Sequence, residues 1–283
     1  MLETSSSTTN AKTISRRRPI ERKLGFEGVW ARYGNIISNA ISFSIFFIFW
    51  EIIGRSGYIS KLILPPFSEV VSQTLGMAHT GELWKHLSFS ATNFSVGFLI
   101  SVVTGIPLGL MLGAFKLLDR IIGPYIWAFY STPRIALLPI ITVTIGFGMA
   151  SKVLLIFIAS FFIIVINTWA GVKTVEESLI RAGKVFCATR ITIFTKIVVP
   201  YTLPFIIVGL RLAVTSALVI TLVAEMLASS KGIGYVVMRA IDEFNSAKLW
   251  SMIIILVIVS MTIVSLLRKL ESLIAPWREQ SAV

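Results

Sequence analysis

The feature that most constrains this chain is a series of six apolar segments, each close to the roughly 20 residues that cross the hydrocarbon core of a bilayer. Only 14% of the residues are charged, whereas soluble domains carry about 25%. The sequence therefore predicts an all-α integral membrane protein with about six transmembrane helices. The segments are residues 36–53, 91–114, 121–147, 153–172, 203–228 and 250–267.

The distribution of Lys and Arg predicts how these segments are oriented. If the N-terminus is cytoplasmic, 17 of the 24 Lys and Arg residues in loops and tails lie inside, and such an excess marks the cytoplasmic side. Both termini and residues 174–204 are then cytoplasmic. We predict a basic disordered tail at 1–35, a transmembrane domain at 36–275 and a C-terminal tail at 276–283. The net charge of +12 fits lipid headgroups at the segment ends, so no nucleic-acid partner is expected.

The polar, basic stretch at residues 174–204 is a candidate docking site for a soluble partner. Apolar and small residues recur in its first half at helical spacing, and a loop helix normally buries such a face against another surface. We predict that the docking face consists of Leu179, Ala182, Gly183 and Phe186.

Glycines in the second span predict a close helix–helix contact. Gly105, Gly109 and Gly113 recur at four-residue spacing, so they share one helix face. Because that face lacks side chains, the backbone of another helix can approach it closely, within the subunit or across a dimer.

The third span contains three prolines, and Thr132 and Arg134 flank one of them. Carbonyl groups freed by proline, and a charged side chain at membrane depth, must face protein or water. Two interpretations of Arg134 stay open. It forms an ion pair with Glu225 that fixes packing, or it contacts an anionic solute in a translocation path. Asn167 and Thr132 would be neutral partners along that path, and Glu225 a further candidate.

The connection between the fifth and sixth spans contains Gly232 and Gly234. Glycines at this spacing predict a turn, followed here by a short amphipathic helix near residues 236–241.

Motifs for chemistry within the chain itself are absent from the sequence. It has no Walker A phosphate loop and no His-Glu-x-x-His zinc site, and one cysteine with two histidines makes no metal cage. We therefore expect no enzyme activity, no cofactor and no metal in this chain. Uphill transport would take its energy from a partner or from an ion gradient.

The stretch at 174–204 resembles the Glu-Ala-Ala loop of bacterial ATP-binding-cassette importer permeases. That pattern runs Glu-Ala-Ala, three residues, Gly, and about nine residues later Ile-x-Leu-Pro. Here Arg181-Ala182-Gly183 occupies the first three positions, and Ile197-Val198-Val199-Pro200 matches the end. Arg181 replaces the Glu of the pattern, and Cys187 replaces its Gly.

Further motifs are similar to the nitrate, sulfonate and taurine branch of these permeases, and the resemblance covers about residues 36–275. They are Leu64-Pro65-Pro66, Gly81-Glu82-Leu83-Trp84, Ile166-Asn167-Thr168-Trp169, Val223-Ala224-Glu225 and Gly232-Ile233-Gly234-Tyr235.

The resemblance implies a type I importer in a bacterial inner membrane, driven by ATP and carrying a small anionic solute. Its partners would be a second permease subunit, identical or paralogous, two cytoplasmic ATPase subunits that bind ATP and Mg²⁺, and an extracytoplasmic solute-binding protein. It also implies a coupling helix at about residues 177–189 that seats in the ATPase. Its candidate contacts are Glu177, Leu179, Arg181, Ala182, Gly183, Phe186 and Cys187. The alternative is a gradient-driven secondary transporter that uses Glu225 for proton coupling, although such folds usually contain internal repeats.

Overall fold

The computed structural model describes residues 26–274, and it describes side chains for residues 38–269. The predicted C-terminal tail and residues 1–25 of the N-terminal tail lie outside these limits. Within them the regular structure is helical, which confirms the predicted all-α class. The helices are α1 (Phe26–Ser56), α2 (Phe67–His79), α3 (Glu82–Ala114), α4 (Lys116–Ser131), α5 (Leu138–Ile145), α6 (Met149–Lys173), α7 (Glu177–Val185), α8 (Arg190–Ile193), α9 (Val199–Ala228), α10 (Ile233–Asp242) and α11 (Ser246–Ile274).

Four stretches in the described part of the chain are long and apolar enough to cross a membrane. They are Glu82–Ala114, Met149–Lys173, Arg190–Ala228 and Ser246–Lys269. A fifth candidate is the bent pair Lys116–Ser131 and Arg134–Ile145. The first predicted span, residues 36–53, falls within α1, whose side chains are described only from Ser38 onward.

The chain divides into two compact units after Trp50, and the first unit is described only through part of α1. Most of the large apolar side chains described there are exposed, as expected for a helix that faces hydrocarbon. They are Ile41, Phe43, Ile45, Phe46, Ile48 and Phe49.

The third predicted span is broken into two helices, which corrects the single span expected at 121–147. Thr132 precedes Pro133 and has an extended backbone (φ −72°, ψ 133°), because the proline ring disfavours the helical conformation of the preceding residue. A 3₁₀ turn, Arg134–Leu137, leads into α5, and the two halves are bent by 89°.

The second unit, residues 51–283, is built around α6, which packs between α3 and α9. Gly105, Gly109 and Gly113 of α3 all face α6. A β-carbon added at Gly105 would lie 3.2 Å from Ile164 Cγ2, and one at Gly113 would lie 2.3 Å from Val172 Cβ. The glycine face therefore makes a tight contact within the subunit.

Glycines also bring α6 close to α9, on a neighbouring face of the same helix. A β-carbon at Gly171 of α6 would lie 2.6 Å from Phe205 Cβ, and one at Gly209 of α9 would lie 2.7 Å from Asn167 Cβ. We call the α3–α6 and α6–α9 contacts together the glycine seam.

Replacing Gly109 by Ala should lower stability by about 1–3 kcal/mol, because overpacking a tight contact forces backbone shifts. The added β-carbon would lie 2.6 Å from Thr168 Cβ. Gly76→Ala in α2 is the matched control, since nothing lies within 4 Å of its added β-carbon and Ala favours a helix. Thermal unfolding of the purified protein should show a loss for Gly109→Ala and none for Gly76→Ala. Equal unfolding temperatures for the two variants would contradict the packing of the seam.

Candidate functional site

The connection between α6 and α9 forms a helical hairpin of α7 and α8, followed by a π-helical turn, Phe194–Val198. The turn runs directly into α9, so this helical stretch begins well before residue 203, the predicted start of the fifth span. Pro200 lies in the first turn of α9, and its ring would clash with the carbonyl group four residues earlier in a regular α-helix. The wider π turn just before it accommodates that constraint.

The end of α7 has the hydrogen bonds of a Schellman motif, with Cys187 as its left-handed residue. The Ala188 amide donates to the Gly183 carbonyl (3.0 Å), and the Cys187 amide donates to the Lys184 carbonyl (2.9 Å). Cys187 has φ +54°, the conformation that glycine adopts most readily. The coupling helix expected at 177–189 therefore ends at Val185. The Gly of the family pattern, which Cys187 replaces, corresponds to this left-handed position.

The hairpin exposes an apolar surface that includes Phe186 of the predicted docking face but not Gly183. Gly183 is buried, and a β-carbon there would lie 3.1 Å from both Ile193 Cγ1 and Ile197 Cδ1, so it faces the chain's own α8 side. Val185, Phe186 and Ile191 are instead 80%, 85% and 77% exposed. We call these three residues the hairpin tip.

The other predicted contacts of the hairpin lie on its exposed surface. Leu179 and Ala182 are exposed, as is Cys187. Glu177 and Arg181 form an ion pair one helical turn apart, which at an exposed site contributes little to stability.

A buried polar cluster lies at the other end of α9, around Glu225. Its side chain is 0% exposed, and its carboxylate accepts hydrogen bonds from Ser90 Oγ (2.7 Å), Asn93 Nδ2 (3.3 Å) and the Gly234 amide (3.2 Å). A carboxylate is stabilised at a helix N-terminus by the unpaired amides and by the helix dipole. Glu225 therefore caps α10 and joins it to α3.

Two further amides at the start of α10 have partners on α3. The Gly232 amide donates to His86 Nδ1 (3.1 Å), and the Ile233 amide donates to Ser90 Oγ (2.8 Å). Gly232 has φ +110°, and a β-carbon there would lie 2.3 Å from Glu225 Cδ. The turn predicted from the glycines is thus confirmed, and the short helix follows it as α10.

The sequence reasoning missed His86, Ser90 and Asn93. Their spacing could have revealed them, because one continuous stripe at helical periodicity contains the buried positions of α3, namely 86, 90, 93, 97, 101, 105 and 109. The glycine pattern could therefore have been extended toward the start of α3, where polar side chains replace glycine.

Arg134 lies at the break between α4 and α5 and does not pair with Glu225 among the described contacts. Its Nη2 donates to the Tyr130 carbonyl (3.2 Å), and its Cζ lies 5.1 Å from the centre of the Tyr130 ring. Its Nε is buried and makes no hydrogen bond within the described residues. The described contacts therefore do not include the Arg134–Glu225 pair that the packing interpretation requires. The Nε–H donor of Arg134 is left for another acceptor.

The remaining candidates for the path do not converge on Arg134. Thr132 shares the break but donates to the Ala128 carbonyl (3.0 Å), and Asn167 donates to the Ile163 carbonyl (2.8 Å) where α6 meets α9. Neither they nor Glu225 forms a hydrogen bond or ion pair with Arg134 in the described part of the chain. In residues 26–274, no group of three His, Cys, Asp or Glu side chains could hold a metal ion.

Comparison with known proteins identifies the family. Residues 105–278 match the model of the binding-protein-dependent transport system inner membrane component. A putative aliphatic sulfonates transport permease of Bacillus subtilis, SsuC, is 30% identical over 95% of this chain and 94% of its own length. The taurine transport system permease TauC of Escherichia coli is 30% identical over 81% of this chain and 85% of its own.

The chain belongs to the binding-protein-dependent inner membrane permease family. A solved structure of the MetNI methionine ABC transporter supports the type I permease fold, with a TM-score of 0.59 at 18% identity over 66% of this chain and 93% of that chain. The predicted family is thus confirmed. The relatives are permease subunits of ABC transporters, so this chain is a transport subunit and not an enzyme.

Replacing Cys187 by Gly should stabilise the permease by about 1 kcal/mol, since a left-handed backbone carries a cost of that order for residues other than glycine. Cys187→Val should destabilise it, because a β-branched side chain tolerates positive φ poorly. Thermal unfolding and hydrogen exchange of the amides at 187 and 188 would measure both effects. A Gly variant less stable than the wild type would contradict this account of the α7 end.

Replacing Glu225 by Gln should lower permease stability by about 1–3 kcal/mol, because one acceptor oxygen becomes an NH₂ group that faces a buried donor. The matched control is Glu243→Gln, which removes an exposed ion pair with Arg239 (3.0 Å) and should change stability by less than about 1 kcal/mol. Thermal unfolding, together with hydrogen exchange at the amides of residues 232–234, distinguishes the Glu225→Gln variant from the Glu243→Gln control. Equal losses in the two variants would show that Glu225 does not hold α10.

Proposed function

We propose that this permease is the membrane-spanning subunit of an ATP-driven importer for a small anionic solute of the aliphatic sulfonate or taurine type. The observation that carries the proposal is the hairpin tip, three exposed apolar side chains at the point where α6 turns back into α9. An apolar tip of this kind fits a cleft in a soluble partner and is costly to leave in water. Its partner would be an ATP-binding-cassette subunit, and ATP and Mg²⁺ would bind there.

The structure of the hairpin suits the transmission of a movement from that partner to the membrane-spanning helices. Gly183 packs its two arms together, and α9 continues from the hairpin through the π turn without an intervening loop. A displacement of the tip is therefore transmitted along α9. The assembly would contain two ATPase subunits, a second permease subunit, identical or paralogous, and an extracytoplasmic solute-binding protein.

We further propose that both termini and the hairpin face the cytoplasm of a bacterial cell. The excess of Lys and Arg on that side supports this orientation. The hairpin and α10 lie at opposite ends of α9, so α10 would face the side from which the solute arrives.

Arg134 is the proposed contact for the solute. It lies where the broken span leaves its backbone irregular, which within a membrane is tolerated where the chain lines a cavity or is buried in protein. A guanidinium group offers several fixed donors to a sulfonate or carboxylate, and the names of two relatives specify sulfonates and taurine.

A gradient-driven secondary transporter is less well supported. Its proposed proton carrier was Glu225, and that carboxylate is fully buried and bonded to the amide of Gly234 and to two side chains. Proton coupling needs a group that alternates between the two aqueous sides, and this carboxylate is committed to capping α10.

The proposed function can be tested by reconstituting the permease with its ATPase and binding protein in liposomes. We expect uptake of taurine or an alkanesulfonate that requires ATP and the binding protein. Phe186→Ser should abolish ATPase attachment without unfolding the permease, because the side chain makes little contact within the chain. Leu75→Ser, an apolar-to-polar change on an exposed site of α2, is the control. Uptake driven by a proton or sodium gradient without ATP would contradict the proposal.

Arg134→Gln should leave the complex assembled but lower solute uptake and solute-stimulated ATP hydrolysis by about tenfold or more, as expected for one hydrogen bond to a charged group. Arg134→Lys should recover part of the loss, since it restores the charge without the fork of donors. Uptake kinetics measured in liposomes provide the test, with assembly checked by co-purification. Unchanged kinetics in an assembled Arg134→Gln complex would remove Arg134 from the path.

A further inference from the structure

Phe244 has a backbone conformation that its residue type does not favour. It follows α10 as the left-handed residue of a second Schellman motif, with φ +53°. The Asn245 amide donates to the Ala240 carbonyl (2.8 Å), and the Phe244 amide donates to the Ile241 carbonyl (3.1 Å). Glycine or asparagine is common at this position, and a bulky residue with positive φ is a genuine outlier.

The neighbouring residues hold this backbone in place, whichever side chain stands at position 244. Asn245 accepts a hydrogen bond from the Lys248 amide at its Oδ1 (3.0 Å) and thereby caps the start of α11. The turn is thus determined from both sides. Phe244 is 76% exposed, so packing within the chain does not offset its strained backbone. Strained residues that persist in this way cluster at functional sites.

Two more exposed apolar residues lie beside the turn that contains Phe244. Ser246 Oγ donates to the Leu62 carbonyl, and Trp250 Nε1 donates to the Ile63 carbonyl (2.9 Å). These bonds hold the segment before α2 against the start of α11. We call Leu62, Ile63 and Phe244 the Phe244 patch; all three side chains are exposed.

Ion pairs occur on the segments that carry the patch. Lys61, which precedes Leu62 in the sequence, pairs with Glu69 (3.3 Å). Glu243, next to Phe244, pairs with Arg239 (3.0 Å). Lys248 pairs with Glu82 (2.8 Å). An apolar centre with a charged rim is the usual composition of a protein–protein interface.

We propose that the Phe244 patch is the surface on which the solute-binding protein docks, with Phe244 as its central anchor. The patch lies in connections between helices, beyond the end of α9 that is opposite the hairpin tip. α9 has 30 residues, which at 1.5 Å per residue separates its ends by about 45 Å, and it belongs to a stretch long and apolar enough to cross a membrane, so the patch and the hairpin tip lie at opposite ends of a candidate spanning helix. The family description requires a binding protein. This inference rests on the proposed function.

The test uses the full complex in nanodiscs and the purified solute-binding protein of the same transporter. Phe244→Gly removes the side chain and the backbone strain together. We expect the dissociation constant of the binding protein to rise about tenfold or more, as for a central anchor, while the unfolding temperature of the complex stays level or rises. Leu75→Ser, an exposed apolar residue outside the patch, should change neither quantity. Leu62→Ser should weaken binding without relieving any strain.

Opposite changes in stability and affinity in Phe244→Gly would support the proposal, since a purely structural residue would not produce them. An unchanged dissociation constant in both Phe244→Gly and Leu62→Ser would overturn it. The proposal would also be overturned if Phe244→Gly only lowered the yield of reconstitution into lipid, because Phe244 would then be a membrane anchor. ATP hydrolysis by the wild-type complex with and without the binding protein is measured in parallel. If the binding protein does not change the rate of ATP hydrolysis by the wild-type complex, the proposed function itself fails.

Discussion

The close approach of α6 to α3 and α9 is the contact on which the rest of the structure depends. In a bilayer the lipid tails are as apolar as the side chains, so helices associate by close packing and hydrogen bonds. The glycine seam supplies that packing on two sides of α6. The hairpin and the Glu225 cluster are both attached to it, because α6 and α9 are joined by the hairpin at one end and α9 leads to the Glu225 cluster at the other.

The two ends of α9 are built differently, and each construction fits its position. At the hairpin, apolar side chains are exposed, and a π turn leads into α9, which contains two prolines near its start. At the Glu225 end, a buried carboxylate binds the first turn of α10 to α3, so this end is fixed. The proposed coupling fits this difference, because a fixed far end lets a displacement of the tip act along the helix.

Much of this architecture could be predicted from the sequence, because it depends on local patterns. The glycines of α3 predicted the tight contact by their spacing, and Gly232 and Gly234 predicted a turn before a short helix. The family pattern also placed a Gly at position 187, and the left-handed backbone of Cys187 explains why that position suits glycine.

The remaining features depend on contacts between residues far apart in the chain. Ser90 and Glu225 are separated by 135 positions, so no local pattern could show that Glu225 pairs with a serine and an amide and not with Arg134. The prolines of the third span predicted freed carbonyl groups there, but they did not predict a division into two helices at an angle of 89°. Gly183 was assigned to the docking face because helical periodicity cannot distinguish the side that meets a partner from the side that meets α8.

The most direct test of this account is a cross-link from Cys187, the single cysteine of the chain, which lies exposed next to the hairpin tip. A benzophenone maleimide attached there in the reconstituted complex should, on illumination, join the permease to the ATPase subunit. An impermeant maleimide should reach Cys187 in inside-out vesicles but not in intact cells. Labelling in intact cells, or a cross-link to the solute-binding protein in place of the ATPase, would contradict the proposed arrangement.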